Sequence, residues 1–191
     1  MMIKRFNFLA TAVSCLLFLG SCQGQSPLSE SAKAENKTSV QDGIQWMGFE
    51  EAVAKNNSQP KKIFIDVYTD WCGWCKKMDQ STFKEQQVVD YINQNYYAVK
   101  LDAETRDTIY FRDHKFAYIP ANKANELAVS LLNGKMSYPS YVFLDEKFNL
   151  LTPVAGYLKT EQLMPILTYF GSNIYLEKKW EEYQLMLKQG N

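Results

Sequence analysis

The chain has 191 residues, in which 21 Lys plus Arg balance 21 Asp plus Glu and there is one histidine. A formal charge of zero, with no basic block and no stripe of interleaved basic and aromatic residues, excludes the electrostatic footprint of a nucleic-acid binder. With 46% of residues apolar or aromatic, the length suits one domain with an ordinary core and some extra material at its ends.

Lys4 and Arg5 precede residues 8–20, an almost wholly apolar run. It is short for a membrane span and fits the central region of a secretory signal. It ends in Leu19-Gly20-Ser21-Cys22, which resembles a bacterial lipobox: a large aliphatic residue, two small ones, then cysteine. The resemblance implies that Cys22 carries the lipid and becomes the first residue of the mature chain. Residues 1–22 would then be the signal, and Cys15 would leave with it. A plain signal with an incidental cysteine and a membrane anchor that stays are the alternatives. Residues 23–42 are rich in Ser, Glu, Lys, Asn and Gln without an apolar period, which predicts a flexible tether.

The folded part is expected from residue 43. Residues 44–49 read as a short first strand and residues 49–57 as a helix, stopped by Asn57-Ser58-Gln59-Pro60. Residues 63–68 (IFIDVY) are β-rich and nearly all apolar, the pattern of a central strand covered on both faces, with Asp66 interrupting it. A helix is expected over 72–83, with 88–95 as its continuation or a second helix. Residues 96–101 (YYAVKL) read as a strand. The long mixed segment 102–135 holds one expected helix at 121–132. Residues 140–144 (SYVFL) and 150–154 (LLTPV) are expected to form a hairpin. A helix starting at Thr160 runs to 169, and an amphipathic, charged helix occupies 174–188. Strands alternating with helices and a closing hairpin point to a mixed α/β sheet with helices on both faces.

The chemistry concentrates in Trp71-Cys72-Gly73-Trp74-Cys75. Two cysteines two residues apart serve as metal ligands, a haem attachment, a structural disulfide or a redox pair. Zinc needs about four ligands, but the chain has no second such pair and only His114 as histidine. Haem attachment needs histidine after the second cysteine, where Lys76 stands. A disulfide across so short a loop removes little chain entropy. A redox pair remains. A strand leads into the pair and a helix follows, which would put Cys72 at a helix N-terminus, where unpaired N–H groups favour the thiolate. A thiol of pKa about 8.5 is a few per cent ionised at neutral pH, and one lowered to about 7 is half ionised. Cys72, on the exposed side, would attack a substrate disulfide, and Cys75, one turn further in, would resolve the mixed disulfide.

The segment FIDVYTDWCGWCKKM resembles the active-site stretch of thioredoxins, and more closely that of thioredoxin-like lipoproteins and of the C-terminal domain of the transmembrane reductase DsbD. Asp66 lies six residues before Cys72, where the family has a buried acid; Tyr138-Pro139 precedes a strand, as the family's cis-proline does; Ala155-Gly156-Tyr157-Leu158 is similar to its glycine loop. The resemblance covers about residues 44–170. It implies that Asp66 relays a proton for Cys75, and that Pro139 in cis frees the backbone of Tyr138 for an extended substrate and keeps metal from the thiols. A structural acid and a trans turn proline are the respective alternatives. Trp71, Gly73, Trp74 and Gly156 are expected to line the substrate site. Trp74 stands where plain thioredoxins have proline, which counts against a strongly reducing housekeeping role. The interval 104–135 exceeds that of plain thioredoxins and is read as additional core or as a lid.

The whole reading is an α/β thioredoxin fold: a central mixed sheet flanked by helices, an insertion before the cis-proline and an extra C-terminal helix. Its divisions are a signal (1–22), a tether (23–42), a thioredoxin-like domain (43–171) and a helical extension (172–191). The expected activity is reduction or isomerisation of disulfides in exported proteins, with no cofactor and no metal. The expected partners are disulfide-containing envelope proteins, a DsbD-like membrane electron donor and, through the lipid, the membrane. The expected location is the periplasmic face of the envelope, at the outer membrane. A disulfide-donating oxidase and a non-catalytic binding module are the competing readings.

Overall fold

The computed structural model describes residues 43–190. The signal, the lipid-bearing Cys22 and the tether expected at residues 1–42 lie outside them. Strand β1 (Trp46–Met47) and helix α1 (Phe49–Ser58) lead to β2 (Lys62–Tyr68), α2 (Gly73–Gln80), a one-turn 3-10 helix (Thr82–Lys84), α3 (Gln86–Asn95) and β3 (Tyr96–Asp102). The short strands β4 (Ile109–Phe111), β5 (His114–Phe116), β6 (Tyr118–Ile119) and β7 (Ala124–Asn125), then α4 (Glu126–Leu131), fill the interval before β8 (Ser140–Leu144) and β9 (Leu150–Ala155). Helix α5 (Thr160–Gly171), a 3-10 turn (Ile174–Leu176) and α6 (Trp180–Gln189) close the described chain.

Five strands make the main sheet in the order β1-β3-β2-β8-β9. β1 and β2 run parallel to β3, while β8 pairs antiparallel with β2 and with β9. β2 takes the centre because every residue from Lys62 to Val67 is buried. Its period of two sends Ile63, Ile65 and Val67 to one face, with Val99, Leu101, Val142, Leu127 and Leu131. Phe64 goes to the other, with Met78, Val88, Ile92, Tyr141, Leu163 and Leu167. Burial of a side chain such as Phe64, Met78 or Leu163 is worth about 1.5–3 kcal/mol. Asp66 shares the parity of Phe64 and therefore points under α2, the helix that carries the cysteines.

Three expectations need correction. The strand expected at 44–49 is only Trp46–Met47, since Gly48 already caps α1. The helix expected at 121–132 is only Glu126–Leu131, because the residues before it turn through Pro120 and Lys123 (φ 52°) into the β6–β7 hairpin, and Asn125 caps the helix. The helix expected at 174–188 is broken: Asn173 is left-handed (φ 61°), one 3-10 turn follows, and α6 begins only at Trp180. The 88–95 segment is a separate helix, α3. The extension packs on α5 through Tyr183, whose ring stacks on Tyr169 at 5.4 Å, and through Trp180, 5.1 Å from the same ring.

Candidate active site

Cys72 and Cys75 are joined in a disulfide at the start of α2, with Cα atoms 5.3 Å apart. After β2 the chain turns so that Cys72 N donates to Thr69 O (3.1 Å), and Cys72 becomes the N-cap of α2. Its Sγ accepts a hydrogen bond from Cys75 N at 3.0 Å, satisfying one of the free donors of the first turn. The sulfur of Cys72 thus sits where N–H groups and the helix dipole favour negative charge. Contrary to the expected exposed outer cysteine, Cys72 is 4% and Cys75 2% exposed. The capping turn tucks Cys72 inward against its partner, and this joined form presents Trp71 (66% exposed) and Trp74 (62%) to solvent instead.

Beneath α2 lies a charge cluster that runs from the buried Asp66 out to the half-exposed side chain of Asp79. Asp66, 1% exposed, meets Lys100 Nζ at 2.7 Å from Oδ2, and Lys100 also reaches Asp79 Oδ1 at 2.5 Å. The register makes this possible, because Asp66 on β2 is the direct partner of Lys100 on β3. Asp79 is four residues beyond Cys75, one turn further along the same face of α2. The rings of Trp46 and Tyr68 flank the ammonium at 5.1 and 5.0 Å. Lys100 is the partner of Asp66 Oδ2 among the described residues, while Oδ1 has none there, and the hydroxyls of Thr69 and Tyr141 are likewise without partners. Burial pushes the Asp66 carboxyl up to about 6, against the opposing pull of Lys100 and with a further upward push from Asp79. Burial acts to lower the Lys100 ammonium, but Asp66 and Asp79 prevail and hold it above its usual value. Unsatisfied buried polar groups are rare in folded proteins and here gather around one carboxyl.

Two aromatic pairs flank the disulfide. Trp71 meets Tyr138 edge-on at 5.8 Å and donates its indole N–H to Glu104 Oε2 at 3.1 Å. Trp74 lies 5.4 Å from Tyr157. The Tyr138–Pro139 peptide is cis and Pro139 is buried. Pro139 O accepts from Gly156 N at 2.8 Å, and Gly156 has φ 102°, a conformation that glycine tolerates and side chains resist. Gly156 thereby ties the loop after β9 to the proline. Gly73 has open space where a Cβ would lie. Among the described residues no three His, Cys, Asp or Glu side chains are placed to hold a metal ion, and no helix is long and apolar enough to cross a membrane.

The family model Thioredox_DsbH, described as a protein of unknown function, DUF255, matches residues 27–189. The chain belongs to this thioredoxin-like family. Among curated relatives, the thiol:disulfide interchange protein DsbD of Pseudoalteromonas atlantica is 37% identical over 67 residues, 35% of this chain and 11% of DsbD. The chain thus spans about a tenth of the length of that relative. Among solved structures, a thioredoxin-fold protein from Helicobacter pylori matches with a TM-score of 0.53 and 14% identity, over 80% of this chain and 91% of the other. A putative disulphide-isomerase from Bacteroides thetaiotaomicron matches at 0.51 with 22% identity, over 72% and 97%. At these identities the structural matches establish the thioredoxin fold.

Within this thioredoxin-like frame, the structure brings Asp66, Trp71, Cys72, Trp74, Cys75, Tyr138, Pro139 and Gly156 to the ends of β2, β8 and β9 and the start of α2. Cys22 lies outside the described residues. Sequence reasoning missed Lys100, Asp79, Glu104 and Tyr157. The signal for Lys100 was present: a lone lysine in the apolar strand YYAVKL, which the parallel register sets beside the acid of IFIDVY.

Proposed function

We propose that this chain is a thiol–disulfide oxidoreductase of the cell envelope that reduces or rearranges disulfides in exported proteins. The observation that carries the reading is the Cys72–Cys75 disulfide at the N-terminus of α2, the helix that is tied to the buried carboxyl of Asp66 through Asp79 and Lys100. The chemistry of the family relative DsbD, as its name states it, agrees.

In the reduced protein, the Cys72 thiolate attacks one sulfur of the client disulfide. A Cys72–client bond forms, the client S–S bond breaks, and the departing client thiolate takes up a proton. Cys75 then loses its proton and attacks Cys72 Sγ, which closes the Cys72–Cys75 bond and releases the second client thiol. Two electrons have passed from the protein dithiol to the client. Asp66, ionised above about pH 6, is the buried base assigned to accept the proton of Cys75. A dithiol donor restores the reduced pair, and a DsbD-like membrane reductase is the proposed source. Residues 1–22 are proposed to direct export and Cys22 to carry the lipid, at the periplasmic face of the outer membrane.

The test is catalysis of insulin reduction by dithiothreitol. Wild-type protein should accelerate it, Cys72→Ser should not, and Cys75→Ser should accumulate mixed disulfides with clients. A wild type that gives no acceleration refutes the proposal. Equilibration with glutathione tests the direction: a potential near the oxidising end of the family span, about −120 mV, would instead assign disulfide donation. Metabolic labelling with a fatty acid, abolished by Cys22→Ala, tests the anchor.

A further inference from the structure

Carboxylates stand beside Trp71 and ammonium groups beside Trp74, with Lys76 a further exposed cation on α2. On the Trp71 side stand Asp70, Asp102 and Glu104. Glu104 accepts from the Trp71 indole at 3.1 Å, and its own backbone N–H donates to Asp102 Oδ1 at 3.0 Å. Burial raises the Asp102 carboxyl, the Glu104 N–H bond opposes this, and the negative charges of Asp70 and Glu104 add to the rise. The Trp74 side carries the opposite sign. Lys77 follows Trp74 on α2 and Lys159 caps α5, and both act on Tyr157, the ring that packs beside Trp74. None of Asp70, Asp102, Glu104, Lys77 and Lys159 has an ion-pair partner among the described residues, whereas Lys55, Lys62 and Lys100 elsewhere do.

Two exposed tryptophans beside a reactive disulfide form an apolar docking surface, since large exposed aromatics mark sites of association. The flanking charges give that surface a direction. We propose that the disulfide face reads the charge order of its client: it takes an extended cystine-bearing segment with a basic residue on the Trp71–Glu104 side and an acidic residue on the Trp74–Lys77 side. This rests on the oxidoreductase reading above and adds the chemical class of the client. A segment of the reverse order sets like charges against each other at both ends. Complementary charge acts on encounter and orientation, and is screened over about 8 Å at physiological salt.

The test uses the full chain and three disulfide-bearing peptides of one sequence, with lysine before and glutamate after the cystine, the reverse order, or glutamine at both positions. One charged order should exceed the glutamine peptide in kcat/KM and the other should fall below it, by about two- to fivefold per charge pair. The difference should lie in KM, and it should collapse in 0.5 M salt, where the screening length is only a few ångströms. Asp70→Asn with Glu104→Gln, and separately Lys77→Gln with Lys159→Gln, should each remove about half of the discrimination. Equal kcat/KM for the two charged orders, or discrimination that survives salt and both double variants, overturns the proposal. Binding of the same peptides with serine in place of cysteine, followed on the Trp71 and Trp74 indole resonances, should give the same ranking without chemistry. Ranked binding without turnover would sustain the charge-order proposal and refute the enzyme; turnover without ranking would do the reverse.

Discussion

Asp66→Asn isolates the buried carboxyl. The acid is 1% exposed, so solvent screens it little, and its value rises from 3.8 to about 6 on folding. Below pH 3.8 both folded and unfolded chains hold the proton, and the group has no effect on stability. Between 3.8 and about 6 the folded chain keeps a proton that the unfolded chain has released, so stability falls as pH rises. Above about 6 both forms are ionised and the full cost remains. At about 1.4 kcal/mol per pKa unit, that cost is about 3 kcal/mol. Asparagine cannot ionise. Lys100 stays charged across the window and keeps Asp79 as a partner, so its loss of Asp66 adds a term that does not vary with pH. Guanidinium unfolding of the disulfide-closed protein, followed by tryptophan fluorescence from pH 4 to 7.5, measures the effect. Relative to wild type, Asp66→Asn should gain about 2 kcal/mol between those limits, because the unfolded acid is already more than half ionised at pH 4. A difference between the two proteins that stays constant to within about 1 kcal/mol, or that moves the opposite way, would refute the reasoning.

Asp79→Asn removes a carboxylate that raises Asp66 and leaves Lys100 to Asp66 alone, so the Asp66 midpoint, read by carboxyl NMR, should move to lower pH. Asn125→Ala should cost about 2–3 kcal/mol in chemical denaturation, because the fully buried amide caps α4 at Leu127 N and donates to Asp107 O and Phe116 O; hydrogen exchange should speed up within 107–127. Gly171→Ala should cost about 1–3 kcal/mol, since its Cβ would stand 2.9 Å from the Tyr91 ring and 3.0 Å from Tyr96 Oη. Gly73→Ala, which meets open space, should stay within about 0.5 kcal/mol in the same assay.

Legibility in the sequence followed the length of each pattern. IFIDVY is a central strand because a run apolar on both faces has no solvent face to offer, and that run made its one acid, Asp66, conspicuous. The cysteine pair was legible because strand, turn and helix follow one another within a dozen residues. The segment 104–135 was not, because β4 to β7 are two or three residues each, too short for a period of two to register. It is held by buried Asn125, whose long-range hydrogen bonds leave no local trace. The burial of Cys72 was also hidden, since a capping turn is set by backbone geometry. Asp79 carries no signal of its own in the sequence of α2. Only the register of β3 beside β2, and the lysine it delivers, gives that acid a role.

The insertion is rooted next to the chemistry. Ala103 N donates to Tyr68 O at the end of β2 and Ala103 O accepts from Asn125 N, so β7 hangs from the residue that precedes Glu104. Glu104 in turn holds the Trp71 indole. Substitutions across 105–124 therefore bear on Trp71 by way of Glu104, and through Ile109 and Phe116 on the core cluster against which Tyr138 packs, while Asp66 and Lys100 belong to the sheet. Under the proposed function, the insertion would bear on client approach through Glu104 and Trp71, while the sulfurs and Asp66 stay with the sheet.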